Sequence, residues 1–197
     1  NFTISGDCKR MFNNCSELGS TVSLNLSNWN VSGLTNSYQM FALCTKLGDS
    51  DFIADDWNLS SCTSVYHMFR DGFKNNSSQG TVTMKNWTIG SSANPARLEG
   101  MFQRATYFNG DISNWTVYSN NARTMFYACS SFTGIGLSDS NFTISGSADN
   151  MFVNCSSFDQ DIGGWDISQV TNMGAMLSNS GLSTTNYSNT LDGWASQ

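Results

Sequence analysis

The sequence predicts an α/β solenoid, a right-handed stack of about seven turns with short parallel strands, short helices and a C-terminal cap. Three observations predict it. A Met opens a recurring unit at Met11, Met40, Met68, Met101, Met125, Met151 and Met176, at spacings of 29, 28, 33, 24, 26 and 25 residues. An aromatic-polar-aliphatic run recurs in step with that Met, and residues 151–176, MFVNCSSFDQDIGGWDISQVTNMGAM, spell the unit most completely. Periods of this length belong to stacked repeats, whose units bury their apolar face only against a neighbour. Residues 1–197 therefore read as one domain.

Each element of the unit has its own pattern. Phe2-x-Ile4, Trp29-x-Val31, Trp57-x-Leu59, Trp87-x-Ile89, Trp115-x-Val117, Phe142-x-Ile144 and Trp165-x-Ile167 alternate as half-buried strands do. Leu26, Ala54, Met84, Ile112 and Ile162 stand three residues before the aromatic, which completes the L-x-x-L-x-L strand signature of a leucine-rich repeat, with Trp in the middle Leu position. Around each Met the spacing changes: Val170, Met173, Met176 and Leu177 fall on one face of a short helix. Residues 73–81 and 90–97 read as insertions in the third unit. From 181 to 197 the pattern breaks, and Leu191 and Trp194 are expected on a capping helix that closes the open apolar end. Phe2-x-Ile4 is expected to be a bare edge.

Composition narrows the function classes. Charged residues are 12% of the chain and the formal charge is −6, with nine Lys and Arg in all, so the electrostatic footprint of a nucleic-acid binder is missing. No apolar run is long enough to span a bilayer, and direct membrane insertion is not expected. The Ser-, Thr-, Asn- and Gly-rich polar positions point outside the cell, and a start at Asn1 without an initiator Met or a targeting segment is expected of a piece cut from a longer protein.

The motifs MFVNCSSFDQDIGGWDISQVTNM, MFQRATYFNGDISNWTV and LSTTNYSNTLDGWA resemble the BspA-like leucine-rich repeat family of bacterial surface proteins, in a form with Trp on the strand. The likeness covers essentially the whole chain. It implies a cell-surface location and an adhesin role, and, through similarity to modules of calcium-dependent adhesins, calcium. It carries over no catalytic residue.

The residues themselves offer several candidate sites. Asp49, Asp51, Asp55 and Asp56 crowd into GDSDFIADDW, which reads either as a solvated acidic loop or as hard oxygen ligands for calcium. On the strands, Asn58, Thr88, Thr116, Tyr118 and Thr143 belong to polar ladders expected to bind a glycan or a protein on a host or neighbouring cell. Their alternative readings are a structural spacer, solubility alone, or an ice-binding face. Tyr38 and Tyr66 each stand two before their Met and are expected to stack as exposed aromatics at the interface of a calcium-assisted homodimer. Cys15, Cys44, Cys129 and Cys155 fall four after the Met, where Gly72, Ala105 and Ser180 stand elsewhere; buried free thiols are expected, with a disulfide or metal site as the alternative. The single His67 reads as a solvated residue. With no second His to build a dyad, no catalytic activity is expected.

Overall fold

The computed structural model describes residues 2–75, 80–138 and 141–197; residues 76–79, the middle of the expected 73–81 insertion, lie outside the described residues. In chain order the strands are β1 (Phe2–Asp7), β2 (Leu24–Asn25), β3 (Trp29–Asn36), β4 (Phe52–Ile53), β5 (Asn58–Leu59), β6 (Val82–Thr83), β7 (Thr88–Ile89), β8 (Ala96–Arg97), β9 (Thr116–Asn121), β10 (Asn141–Ser147) and β11 (Asp166–Asn172), followed by helix α1 (Thr184–Ala195). All pairings are parallel. The chain is a parallel β-solenoid in which seven strand rungs bound six complete coils.

Two sheets run along it. The first joins β1 to β3 and β5 to β7, β9, β10 and β11, with β3 linked onward through the Asn36–Ser64 bridge. The second is β2-β4-β6, extended by the Thr83–Asp111 bridge. The L-x-x-L-x-L run is therefore not one strand. Its first apolar position follows the second sheet, its aromatic opens the first, and a corner lies between them. Asp56, Asn86 and Asn114 make that corner at φ 63°, 60° and 60°, in the left-handed region that Asn and Asp tolerate best.

The expected helix around each Met is replaced by two successive turns, and the backbone shows why. The residue before each of the seven unit-opening Met, from Arg10 to Ala175, has φ between 51° and 60°, and the residue three after it, from Asn14 to Asn179, has φ between 54° and 63°. A left-handed residue on each side stops a right-handed helix from propagating. What the turns allow instead is a ladder between coils. In each of the first six coils four N–H groups donate to carbonyls of the next, as Cys8, Arg10, Phe12 and Asn14 do to Asn36, Tyr38, Met40 and Ala42, at 2.7–3.1 Å throughout.

Aromatic columns fill the interior. Phe2, Trp29, Trp57, Trp87, Trp115, Phe142 and Trp165 follow one another with ring centroids 4.3–6.5 Å apart. Phe12, Phe41, Phe69, Phe102, Phe126 and Phe152 form a second column at 5.1–5.4 Å. Offset stacking adds about 0.5–1.5 kcal/mol per pair beyond area burial. The indoles are also tied across coils: Trp57 Nε1 donates to the Leu26 carbonyl at 3.0 Å, Trp87 Nε1 to Ala54 and Trp115 Nε1 to Met84.

Helix α1 continues this scheme in another secondary structure. Ser183 caps it by accepting from the Asn186 N–H, and Asp159 receives the Ser183 N–H at 2.8 Å. Trp194 Nε1 donates to the Ile162 carbonyl at 3.0 Å, the bond that Trp57, Trp87 and Trp115 make one coil back. Thr190, fully buried, accepts the Ile162 N–H at 3.1 Å. The capping helix expected at Leu191 and Trp194 is present, although Leu191 itself stays 43% exposed.

Candidate functional site

The outer face of the first sheet carries the candidate binding residues. Strand alternation sends Leu59, Ile89 and Val117 into the core and leaves Asn58 exposed and Thr88 and Thr116 half-buried. Asn58 pairs with Thr88, and Thr88 with Thr116, so these three form one row. The row does not continue to Thr143. Between β9 and β10 the register slips by two residues: Thr116 faces Asn141, and Thr143 faces Tyr118 and then Asp166. Phe142 still stacks between Trp115 and Trp165, so the aromatic alignment read from the sequence holds for the side chains while the backbone pairing differs. The structure thus assembles two short adjacent rows, Asn58-Thr88-Thr116 and Tyr118-Thr143.

Their chemistry is unequal. Asn58 Oδ1 is committed to the Ser60 N–H at 3.0 Å, and the side chains of Asn30 and Asp166 close the same turn with Ser32 and Ser168. Among the described residues, the hydroxyls of Thr88, Thr116, Tyr118 and Thr143 have no protein partner. They stand on a rigid sheet with adjacent strands about 4.8 Å apart, a surface of regularly spaced neutral donors and acceptors. Gly90, at φ 66°, ends β7 beside them, where a Cβ would lie 2.6 Å from the Tyr118 carbonyl oxygen. The segment read as a 90–97 insertion does not stay outside the sheet: Ala96 and Arg97 return to it as β8 beside β9.

The acidic loop behaves differently from the calcium expectation. Asp49 Oδ2 accepts from Asn75 Nδ2 at 2.7 Å, Asp51 Oδ1 from the Thr81 N–H at 2.8 Å, Asp55 Oδ1 from the Lys85 N–H at 2.8 Å, and Asp56 Oδ1 from Asn86 Nδ2 at 2.8 Å. Each carboxylate of this coil reaches a different residue of the next coil, from Asn75 to Asn86, so the four are occupied separately. Among the described residues no group of three or more His, Cys, Asp or Glu side chains is placed to hold a metal ion. The ligand set expected from Asp49, Asp51, Asp55 and Asp56 is therefore not assembled.

Tyr38 and Tyr66 do stack, with centroids 5.3 Å apart, but as half-buried rings. The Arg10 guanidinium lies 5.3 Å from the Tyr38 centroid and that of Arg97 4.0 Å from Tyr66, within reach of a cation–π contact. His67 is a second correction. It is 9% exposed and stacks on Tyr66, and burial, aided by Arg70, holds its imidazole down to about 4. Gly100 makes room for it, since a Cβ there would sit 2.3 Å from His67 Cδ2.

All six cysteines are free. Cys44, Cys129 and Cys155 are buried and donate to the Phe12, Phe102 and Phe126 carbonyls at 3.0, 2.9 and 2.9 Å. Burial pushes the Cys44 and Cys155 thiols up to about 12, far from the thiolate a nucleophile or metal site needs. Cys15 differs, being exposed at the open first coil. The sequence reading missed one recurring device. Asp7, Asn36, Asn121 and Asn172, four residues before their Met, each accept from the backbone N–H two residues on. The recurrence of Asp, Asn or Ser at that offset is its visible signal.

The family model described as Mycoplasma protein of unknown function, DUF285, matches residues 6–142 and 72–194. The chain belongs to this family. No curated protein and no solved structure matches it. For this DUF285 chain the repeat is thus shown at the level of family and fold, and the two hydroxyl rows are a part of its surface where side-chain hydroxyls have no protein partner among the described residues.

Proposed function

We propose that the chain is a non-catalytic binding module of a bacterial cell-surface adhesin, and that the outer face of its first sheet recognises a glycan or a protein on another cell. The observation that carries this reading is the set of unpartnered hydroxyls on Thr88, Thr116, Tyr118 and Thr143, held on a rigid parallel sheet. Neutral hydroxyls in two short rows and one aromatic ring suit a polar, uncharged ligand better than an ion. The two-residue slip between β9 and β10 disfavours the even lattice that an ice-binding face needs.

The experiment is to screen the isolated chain on glycan arrays and intact cells beside a Thr88→Val, Thr116→Val, Tyr118→Ala triple variant. Binding by the parent that drops about tenfold or more in the variant supports the reading, since each lost hydrogen bond is worth about 0.5–1.5 kcal/mol. Equal binding by both proteins, or none by either, removes this face from the function and leaves the spacer reading.

A further inference from the structure

The four-bond ladder between coils has one donor edge left over. In the last coil the positions that repeat Cys8, Arg10, Phe12 and Asn14 are Met173, Ala175, Leu177 and Asn179, and their N–H groups have no partner among the described residues. Helix α1 caps the Asp159–Trp165 side of that coil through Thr190 and Trp194, but stops short of this edge. Between edge and helix runs an apolar groove of about 440 Å3, lined by Met173, Met176, Leu177, Tyr187, Leu191 and Trp194.

We infer that this groove binds a segment of a partner protein wound as two successive turns, which adds its carbonyls to the four free N–H groups and sets two adjacent large apolar side chains against Met176, Leu177 and Tyr187. The occupant follows from continuity with the interface inside the molecule. Six times along the stack the same donor edge is filled by a segment offering carbonyls at alternate residues, with a Met in the middle and in five of the six a Phe after it, as in Ser147–Asn154. Backbone pairing supplies affinity and side-chain pockets supply selectivity in this mode of recognition. Polarity narrows it further: an edge of donors cannot pair with itself, so a two-fold contact between two such edges would leave them unbonded. The inference is independent of the hydroxyl face, which lies on the other strands.

The test uses the 197-residue chain and a synthetic peptide of residues 147–154, SADNMFVN, chosen because Asn150 and Asn154 accept the left-handed conformation the segment needs. Amide exchange and chemical shifts are followed by NMR. The peptide is expected to slow exchange at Ala175, Leu177 and Asn179 by about tenfold when near saturation, which corresponds to roughly 1.4 kcal/mol of added protection. A peptide carrying Ser at both apolar positions (Met151→Ser, Phe152→Ser) should lose the effect. So should Leu191→Glu in the protein, a substitution at a 43% exposed site that leaves Thr190 and Trp194 in place. No protection, or protection spread over β7 and β9 instead, overturns the inference. Protection of the same amides that rises with protein concentration without peptide, together with a faster-sedimenting species, would make a second copy the occupant and overturn the partner assignment.

Discussion

The two ends of the solenoid are built from the same repeat and finished differently. At the first coil Phe2 is 51% and Met11 45% exposed, and Cys15 faces solvent. At the last, Trp165 is 1% and Met176 4% exposed, because α1 lies across one side of the coil. The comparison shows that burial here belongs to the neighbour and not to the residue. Met11 and Met101 occupy the same place in the unit, yet Met101 is fully buried. Trp194 shows the converse, since a helix with no repeat sequence supplies the indole bond of an eighth rung.

The sharpest way to break this comparison is to remove the same side chain at both places. Met101→Ala should cost about 2–5 kcal/mol, the range for a buried Met, whereas Met11→Ala should cost under about 1 kcal/mol. Urea denaturation of the two variants checks it, and equal losses would mean that the first coil is covered in solution.

How much of this was legible in the sequence depends on the physics of each feature. Side-chain periodicity was readable because stacking demands it: the Trp-x-aliphatic positions gave the column, and the break after residue 181 gave the cap. Hydrogen-bond register was not, because Phe142 keeps its ring in line while β10 pairs two residues away from the alignment. Helix was expected around Met176 because the spacing of Val170, Met173 and Met176 also fits a coil of two turns. The left-handed residues that decide between them include Leu43, Thr124 and Ala128, which no propensity scale would place there. His67 was misjudged for a related reason. Its burial comes from Gly100 one coil away, and a Gly at that offset is meaningful only once the coils are in register.

The capped end should be sensitive to a single methyl group. Gly193 of α1 faces Gly163 so closely that a Cβ on it would lie 2.6 Å from the Gly163 Cα, with backbone on both sides and nothing flexible to give way. Gly193→Ala is expected to destabilise the chain by about 1–3 kcal/mol through displacement of the helix. Thermal melts give the size, and hydrogen exchange should show the loss concentrated in residues 161–197. A uniform loss across all coils would mean that the cap and the stack unfold as one unit.

A pH-dependent effect separates the third coil from both ends. His67 titrates at about 4 in the folded chain against an ordinary 6.5, so the unfolded state binds the proton more readily. Stability from this group is complete above pH 6.5 and is lost as pH falls from about 6.5 toward 4. His67→Gln should flatten the stability profile across that window. Asp149 and Asp159 act lower. Burial alone would raise Asp149, but Ser147, Asn150 and Arg123 outweigh it, and the Ser183 N–H and Asn186 hold Asp159 down. Their contribution is present above the ordinary carboxylate value of 3.8 and lost as pH falls below it, so it remains in the variant.

The smallest expected change in stability comes from the cysteines, where the two regions differ in reactivity instead. Cys15 and Cys44 occupy the same place in successive units. Cys44, however, is buried, donates to the Phe12 carbonyl, and has a thiol pushed up to about 12, while Cys15 is exposed on the first described coil. Thiolate fraction and access together set the rate of alkylation; burial lowers both at Cys44, whereas Cys15 is exposed. A maleimide or iodoacetamide reagent at neutral pH should therefore modify Cys15 first in the native chain, with Cys8, half-buried and raised by burial, following. Cys44, Cys62, Cys129 and Cys155 should react only after denaturation. Peptide mapping by mass spectrometry over a time course reads this directly, and Cys15→Ser should leave the urea midpoint unchanged. Protection of Cys15 in the native chain would show that something covers the first coil, and the contrast between the two ends would have to be drawn again.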